Sequence, residues 1–153
     1  MKPIIRIEQR RSDMRISDPT ETEIRELLER SRAVAVVGLS SDPRRPSHGV
    51  ARALQRYGFK IFPVNPNLDG QVLGERPYAS VEEIPYPVDI VDVFRRSEEI
   101  LPIAAGAVTA GAKAFWTQLS VVNEEAARLA AENGLTVVMD RCLAVDYARL
   151  VGR

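Results

Sequence analysis

The chain has 153 residues, one domain's length, with 45% apolar and 27% charged residues, which is enough apolar material for a core of its own. Its net charge of +0 at pH 7 speaks against a broad basic surface for nucleic acid or membrane. A single cysteine, Cys142, excludes an internal disulfide framework, and a single histidine, His48, argues against a histidine-based metal site.

No apolar stretch approaches the roughly 20 residues of a membrane span. The first residues lack the apolar run of a signal peptide, and with the lone cysteine this fits a reducing cytoplasm. Arginine outnumbers lysine 18 to 3. Arginine forks suit carboxylates and phosphates, although genome composition or heat adaptation produces the same bias.

Residues 1–17 are basic (Lys2, Arg6, Arg10, Arg11, Arg15) and have no helical period. They read as a tail or, through Ile4-Ile5-Arg6-Ile7, as an added edge strand, and Met14 is an alternative start. The domain proper is expected over 18–153. Asp18-Pro19-Thr20-Glu21 predicts a helix start with Asp18 as cap, and Ile24, Leu27 and Leu28 give that helix one apolar stripe to about Ser31. Ala33 to Val37 is an apolar run without alternation, so both faces of this first strand are expected to be buried. A polar loop follows, and then a helix from Ser47, its cap, to Tyr57, closed by Gly58.

The second strand is Lys60 to Val64. The chain is then loop-like to Tyr78, with one helical turn at Val81 to Ile84 between it and the third strand, Val88 to Phe94. Ser97 is expected to cap a helix ending at Gly111, and Ala112 to Trp116 is the fourth strand. Asn123 caps the next helix, Asn133-Gly134 stops it, Leu135 to Met139 is the fifth strand, and Leu143 to Leu150 is the last helix. Alternating strands and helices predict a doubly wound α/β fold. Its five-stranded parallel sheet lies between helical layers in an αβα sandwich, with expected order 3-2-1-4-5 and a ligand site near the switch between strands one and four.

The strand ends hold the candidate site. Gly38 lets the backbone turn and lets a ligand approach, Ser40, Ser41 and Ser47 can hydrogen-bond phosphate oxygens, and Arg44 and Arg45 can pair with phosphate beside a helix amino end. His48 adds a contact there. The glycine pattern is short of the dinucleotide fingerprint, and strand two ends in Val64-Asn65-Pro66, without the acidic residue that an NAD site uses for its ribose. Trp116 either stacks on a ligand or fills the core rim. Asp92 lies inside a strand and receives no catalytic role.

Several stretches taken together resemble the small stand-alone CoA-binding proteins. They are Val-Ala-Val-Val-Gly-Leu-Ser (34–40), Asp-Pro-Arg-Arg-Pro-Ser-His-Gly-Val-Ala (42–51), Val-Asn-Pro (64–66), Val-Asp-Ile-Val-Asp-Val-Phe-Arg-Arg (88–96), Phe-Trp-Thr-Gln-Leu (115–119) and Val-Met-Asp-Arg-Cys-Leu (138–143). Those proteins are Rossmann-like domains similar to the CoA-binding domain of the succinyl-CoA synthetase α subunit. The resemblance implies coenzyme A or an acyl-CoA as ligand. Its phosphates would lie near Gly38 to His48 and its nucleotide near Val64 to Pro66, with the pantetheine arm passing Phe94 and Arg95 toward Trp116 and Gln118. It implies binding rather than a reaction, and no catalytic residue is assigned. Relatives are expected to carry tyrosine where this chain has His48, and lysine with a later Glu-His where it reads Ala144-Val145-Asp146-Tyr147.

The alternatives are an NAD(P)-binding redox sensor or degenerate oxidoreductase, and an acyl-CoA-processing enzyme or partner subunit of a CoA ligase. The expected partner is a small nucleotide ligand, neither nucleic acid nor membrane, and the sequence leaves a homo-oligomer open.

Overall fold

A computed structural model describes residues 18–152, and the readings of 1–17 lie outside them. The first helix, α1 (Glu21–Arg30), begins at a reciprocal cap. The Thr20 hydroxyl accepts from the Glu23 N–H at 3.1 Å while the Glu23 carboxylate accepts from the Thr20 N–H, also at 3.1 Å. Two satisfied amides outweigh the Asp18-Pro19 start, which therefore stays ahead of the helix.

The other elements are β1 (Ala33–Val37), α2 (Pro46–Arg56), β2 (Lys60–Val64), β3 (Ile90–Val93), α3 (Ile100–Thr109), β4 (Ala114–Thr117), α4 (Glu124–Glu132), β5 (Thr136–Val138) and α5 (Leu143–Leu150). Single 3-10 turns, Val81–Glu83 and Ser97–Glu99, precede β3 and α3. The Ser97 hydroxyl caps no helix and accepts instead from the Val122 N–H at 3.0 Å. Asn123 does cap α4, accepting from the Ala126 N–H at 3.0 Å.

All five strands pair in parallel, and helices cover both faces. Ala33, Ala35, Val37, Val91 and Phe115 point to the layer of α3 and α4. Val34, Val36, Ile90 and Trp116 point to that of α1, α2 and α5. The doubly wound α/β class is therefore the one expected.

In chain order the strands run β2-β1-β3-β4-β5 rather than 3-2-1-4-5. This is the other common doubly wound order, and it moves the switch point to the gap between β1 and β3. Pro63 supplies the reason. Its carbonyl accepts from the Tyr78 N–H at 2.9 Å, but it has no N–H to offer a further strand, so β2 belongs at the edge. β3 is buried along its whole length and takes the inner place beside β1. The Asp89 carboxylate fastens the lower ends of the two strands, accepting from the amides of Arg32 at 2.7 Å and Ala33 at 2.9 Å.

Candidate functional site

The switch point is built around Gly38. It takes φ +85°, a conformation that glycine adopts without strain, and its N–H donates to the Val64 carbonyl at 2.8 Å. A Cβ placed there would lie 2.7 Å from the Phe94 carbonyl oxygen and 3.0 Å from Arg95 Cδ. The exits of β1, β2 and β3 thus meet at one residue without a side chain. Gly38→Ala is expected to destabilise the fold by roughly 1–3 kcal/mol, through backbone strain and a collision with the β3 exit. Urea unfolding checks this, and a loss below about 0.5 kcal/mol counts against the close approach.

Beyond Gly38 the loop braces itself. The Ser47 hydroxyl, buried, accepts from the Ser40 N–H at 3.0 Å, and the Ser40 hydroxyl accepts from the Asp42 N–H at 3.1 Å. Asp42 also holds Arg44, accepting from its Nε and Nη2, both at 3.1 Å. This pairing keeps the Asp42 carboxyl below the usual carboxylate range. Ser41 and Arg45 are exposed, and His48 is half-buried.

Ser47 is not the helix cap. Arg45 takes that position, Pro46 follows in the first turn, and no side chain bonds to the first amides of α2. Arg45 and Pro46 at the amino end of α2 are exposed, an arrangement open to anions.

Next to this loop a cavity of about 430 Å³ opens between the β1 and β2 exits and the start of α3, in the range of small-molecule sites. Gly38, Val64, Asn65, Pro66 and Arg95 all line it. Asn65 is fixed at both ends of its amide: Nδ2 donates to the Leu39 carbonyl at 3.1 Å, and Oδ1 accepts from the Asn67 N–H at 3.0 Å. Glu99, Pro102 and Ile103 add the α3 side of the wall. The sequence reading passed over these three, although Arg95 and Glu99 have the spacing of an ion pair along a helical turn. Arg95 Nε meets Glu99 Oε2 at 3.1 Å.

Phe94 is half-buried beside Gly38. Trp116 and Gln118 lie apart from this surface. Trp116 has no exposed surface, and its indole N–H donates to the Arg141 carbonyl at 2.8 Å. The Gln118 side chain is buried and accepts from the Leu143 N–H at 3.2 Å. Of the two readings open for Trp116, the structure carries the core one. Among the described residues no cluster of His, Cys, Asp and Glu is arranged for a metal ion, and no helix is long and apolar enough to cross a membrane.

A family profile described as CoA binding domain matches residues 32–148, from just before β1 into α5. The chain belongs to this CoA-binding domain family.

Relatives of this CoA-binding domain include the Bacillus subtilis protein YneT, 46% identical over 133 residues, covering 87% of this chain and 98% of that protein. A solved hypothetical protein from Pyrococcus horikoshii OT3 superposes with a TM-score of 0.84 at 36% identity, over 91% of this chain and 100% of that one. The dinucleotide-forming acetyl-coenzyme A synthetase 1 of Ca. Korarchaeum cryptofilum, solved with phosphate and ADP, superposes with a TM-score of 0.63 at 29% identity. That match covers 73% of this chain and 26% of the synthetase, so the CoA-binding domain corresponds to one portion of a larger enzyme.

Proposed function

We propose that the chain binds coenzyme A or an acyl-CoA as a binding module. The adenosine end enters the cavity beside Asn65, and the diphosphate lies over the Ser40 to His48 loop at the amino end of α2. The observation that carries this reading is the convergence of Gly38, Asn65 and Arg95 on one cavity at the β1/β3 switch, in a chain whose family is defined by CoA binding.

Arg45 is the better phosphate partner of the two loop arginines, because Arg44 is already held by Asp42. The pantetheine arm leaves along Phe94 and cannot end by stacking on the buried Trp116. Residues at the β4 and β5 exits therefore contribute by supporting the loops, not by ring contact.

Calorimetric titration with CoA, acetyl-CoA and NADH tests the reading. CoA is expected to bind more tightly than NADH, and Arg45→Ala is expected to weaken CoA by about tenfold through loss of one charged hydrogen bond. Absence of heat at millimolar CoA refutes the proposal. Preferential binding of NADH transfers it to the redox-sensor alternative.

A further inference from the structure

We infer that Glu99 stands in for the 3′-phosphate of CoA on Arg95 and so sets which adenosine nucleotides the cavity accepts, an inference that rests on the CoA reading above. The Arg95 stem packs against Gly38, with Cδ 3.0 Å from where a Cβ would sit, so its guanidinium is held at the cavity wall. There it finds a carboxylate as partner, Nε to Oε2 at 3.1 Å.

Both side chains are 40% exposed, so the pair is wet and weakly bound, of the kind that contributes about 0–1 kcal/mol. A phosphate dianion offers the same fork more charge and more oxygens, and it can displace a carboxylate from such a pair. The rest of the wall offers Asn65 and apolar surface from Val37, Val64 and Pro102, suited to a nucleoside. On the proposed placement the diphosphate lies on the Ser40 to His48 loop, across Gly38 from this cavity. The phosphate that reaches Arg95 is then the one on the ribose. A nucleotide without it leaves the Arg95–Glu99 pair closed and gains nothing from Arg95. Glu99 thus acts on affinity as a competing internal anion.

The test is calorimetry on the full chain with CoA and dephospho-CoA, for wild type, Glu99→Gln, Arg95→Gln and the double variant. Glu99→Gln is expected to tighten CoA roughly 3–5-fold and dephospho-CoA less than about twofold. Arg95→Gln is expected to weaken CoA by about tenfold and to erase the difference between the two ligands. The double variant is expected to lose the gain. Equal effects of Glu99→Gln on both ligands, or weaker CoA binding, overturn the inference while leaving CoA binding intact. If no variant binds CoA, the CoA reading itself falls, and inorganic pyrophosphate then decides whether Glu99 screens Arg95. Tighter pyrophosphate binding to Glu99→Gln than to wild type supports screening, and equal binding ends it.

Discussion

Replacing Trp116 with alanine is expected to lower the unfolding free energy by roughly 3–5 kcal/mol, the range for a large aromatic removed from a packed interior. The ring has no exposed surface and belongs to the buried cluster, with Leu39, Leu143 and Tyr147 among its members, in the layer of α1, α2 and α5. Its N–H also ties the β4 exit to the loop after β5, through the Arg141 carbonyl at 2.8 Å. The alanine variant loses both the volume and that tie, and it leaves a carbonyl without its donor. Trp116→Phe keeps most of the volume and is expected to cost about 1–3 kcal/mol. Denaturant unfolding of the two variants reads these losses. CoA titration at a temperature where Trp116→Phe remains folded provides the second readout. A ring that stacked on ligand would show the opposite pattern, a small stability cost with a large loss of affinity.

That distinction was not available from the sequence, where Trp116 at a strand end fits either role. Strand periodicity says which residues share a face. It does not say whether a helix covers that face, and α5 arrives from the far end of the chain to do so. The elements themselves were far more legible. β1, β2 and α5 have the limits read from the sequence, because β1 stops at Gly38, β2 at Asn65-Pro66 and α5 just ahead of Gly152.

Strand order was harder, since it depends on which edges can accept a neighbour. Pro63 carried that information, and its missing N–H marks β2 as an edge. For the site, Gly38 and Asn65 were found through backbone needs, a tight turn and a strand exit. Glu99 was missed because it lies on a 3-10 turn ahead of α3, where neither strand nor helix periodicity draws the eye. Ser47 was misplaced by two positions because Arg45 and Pro46 open the helix first. The loop still gathers the same residues, so the candidate site at the amino end of α2 is unchanged by the shift.

The buried carboxyl of Asp92 gives the second large effect, and its sign depends on pH. Asp92 sits between Val36 and Trp116 in the sheet, fully buried, and neither oxygen has a hydrogen-bond partner. Removal from water pushes its carboxyl well above the ordinary range; the Val93 N–H, close by but outside hydrogen-bond geometry, acts the other way and does not offset it. In the unfolded chain the group ionises near about pH 4. Below that point both states hold the proton and Asp92 imposes no pH dependence. Above it the unfolded chain releases the proton while the folded chain keeps it. Folding then requires proton uptake, and stability falls with rising pH until the raised folded value is reached.

The slope from this one group is about 1.4 kcal/mol per pH unit. Asp92→Asn retains the shape and cannot ionise, so its stability advantage over wild type is expected to grow as pH rises above the unfolded-chain value of about 4, and to level off once the folded carboxyl itself ionises. Asp92→Val also removes the unpartnered polar atoms and is expected to gain roughly a further 1–3 kcal/mol. Urea unfolding at several pH values, taken as the difference between variant and wild type, isolates Asp92 from every other titrating group. Parallel curves for wild type and Asp92→Asn would mean that the folded protein holds this carboxyl in its ordinary range, with a partner for its charge. A growing gap would mean that a neutral acid lies beneath the β1/β3 switch. Two residues beyond Asp92, just past the end of β3, the Phe94 carbonyl oxygen lies 2.7 Å from where a Gly38 Cβ would sit, so such an acid would lie close behind the glycine on which the candidate site turns.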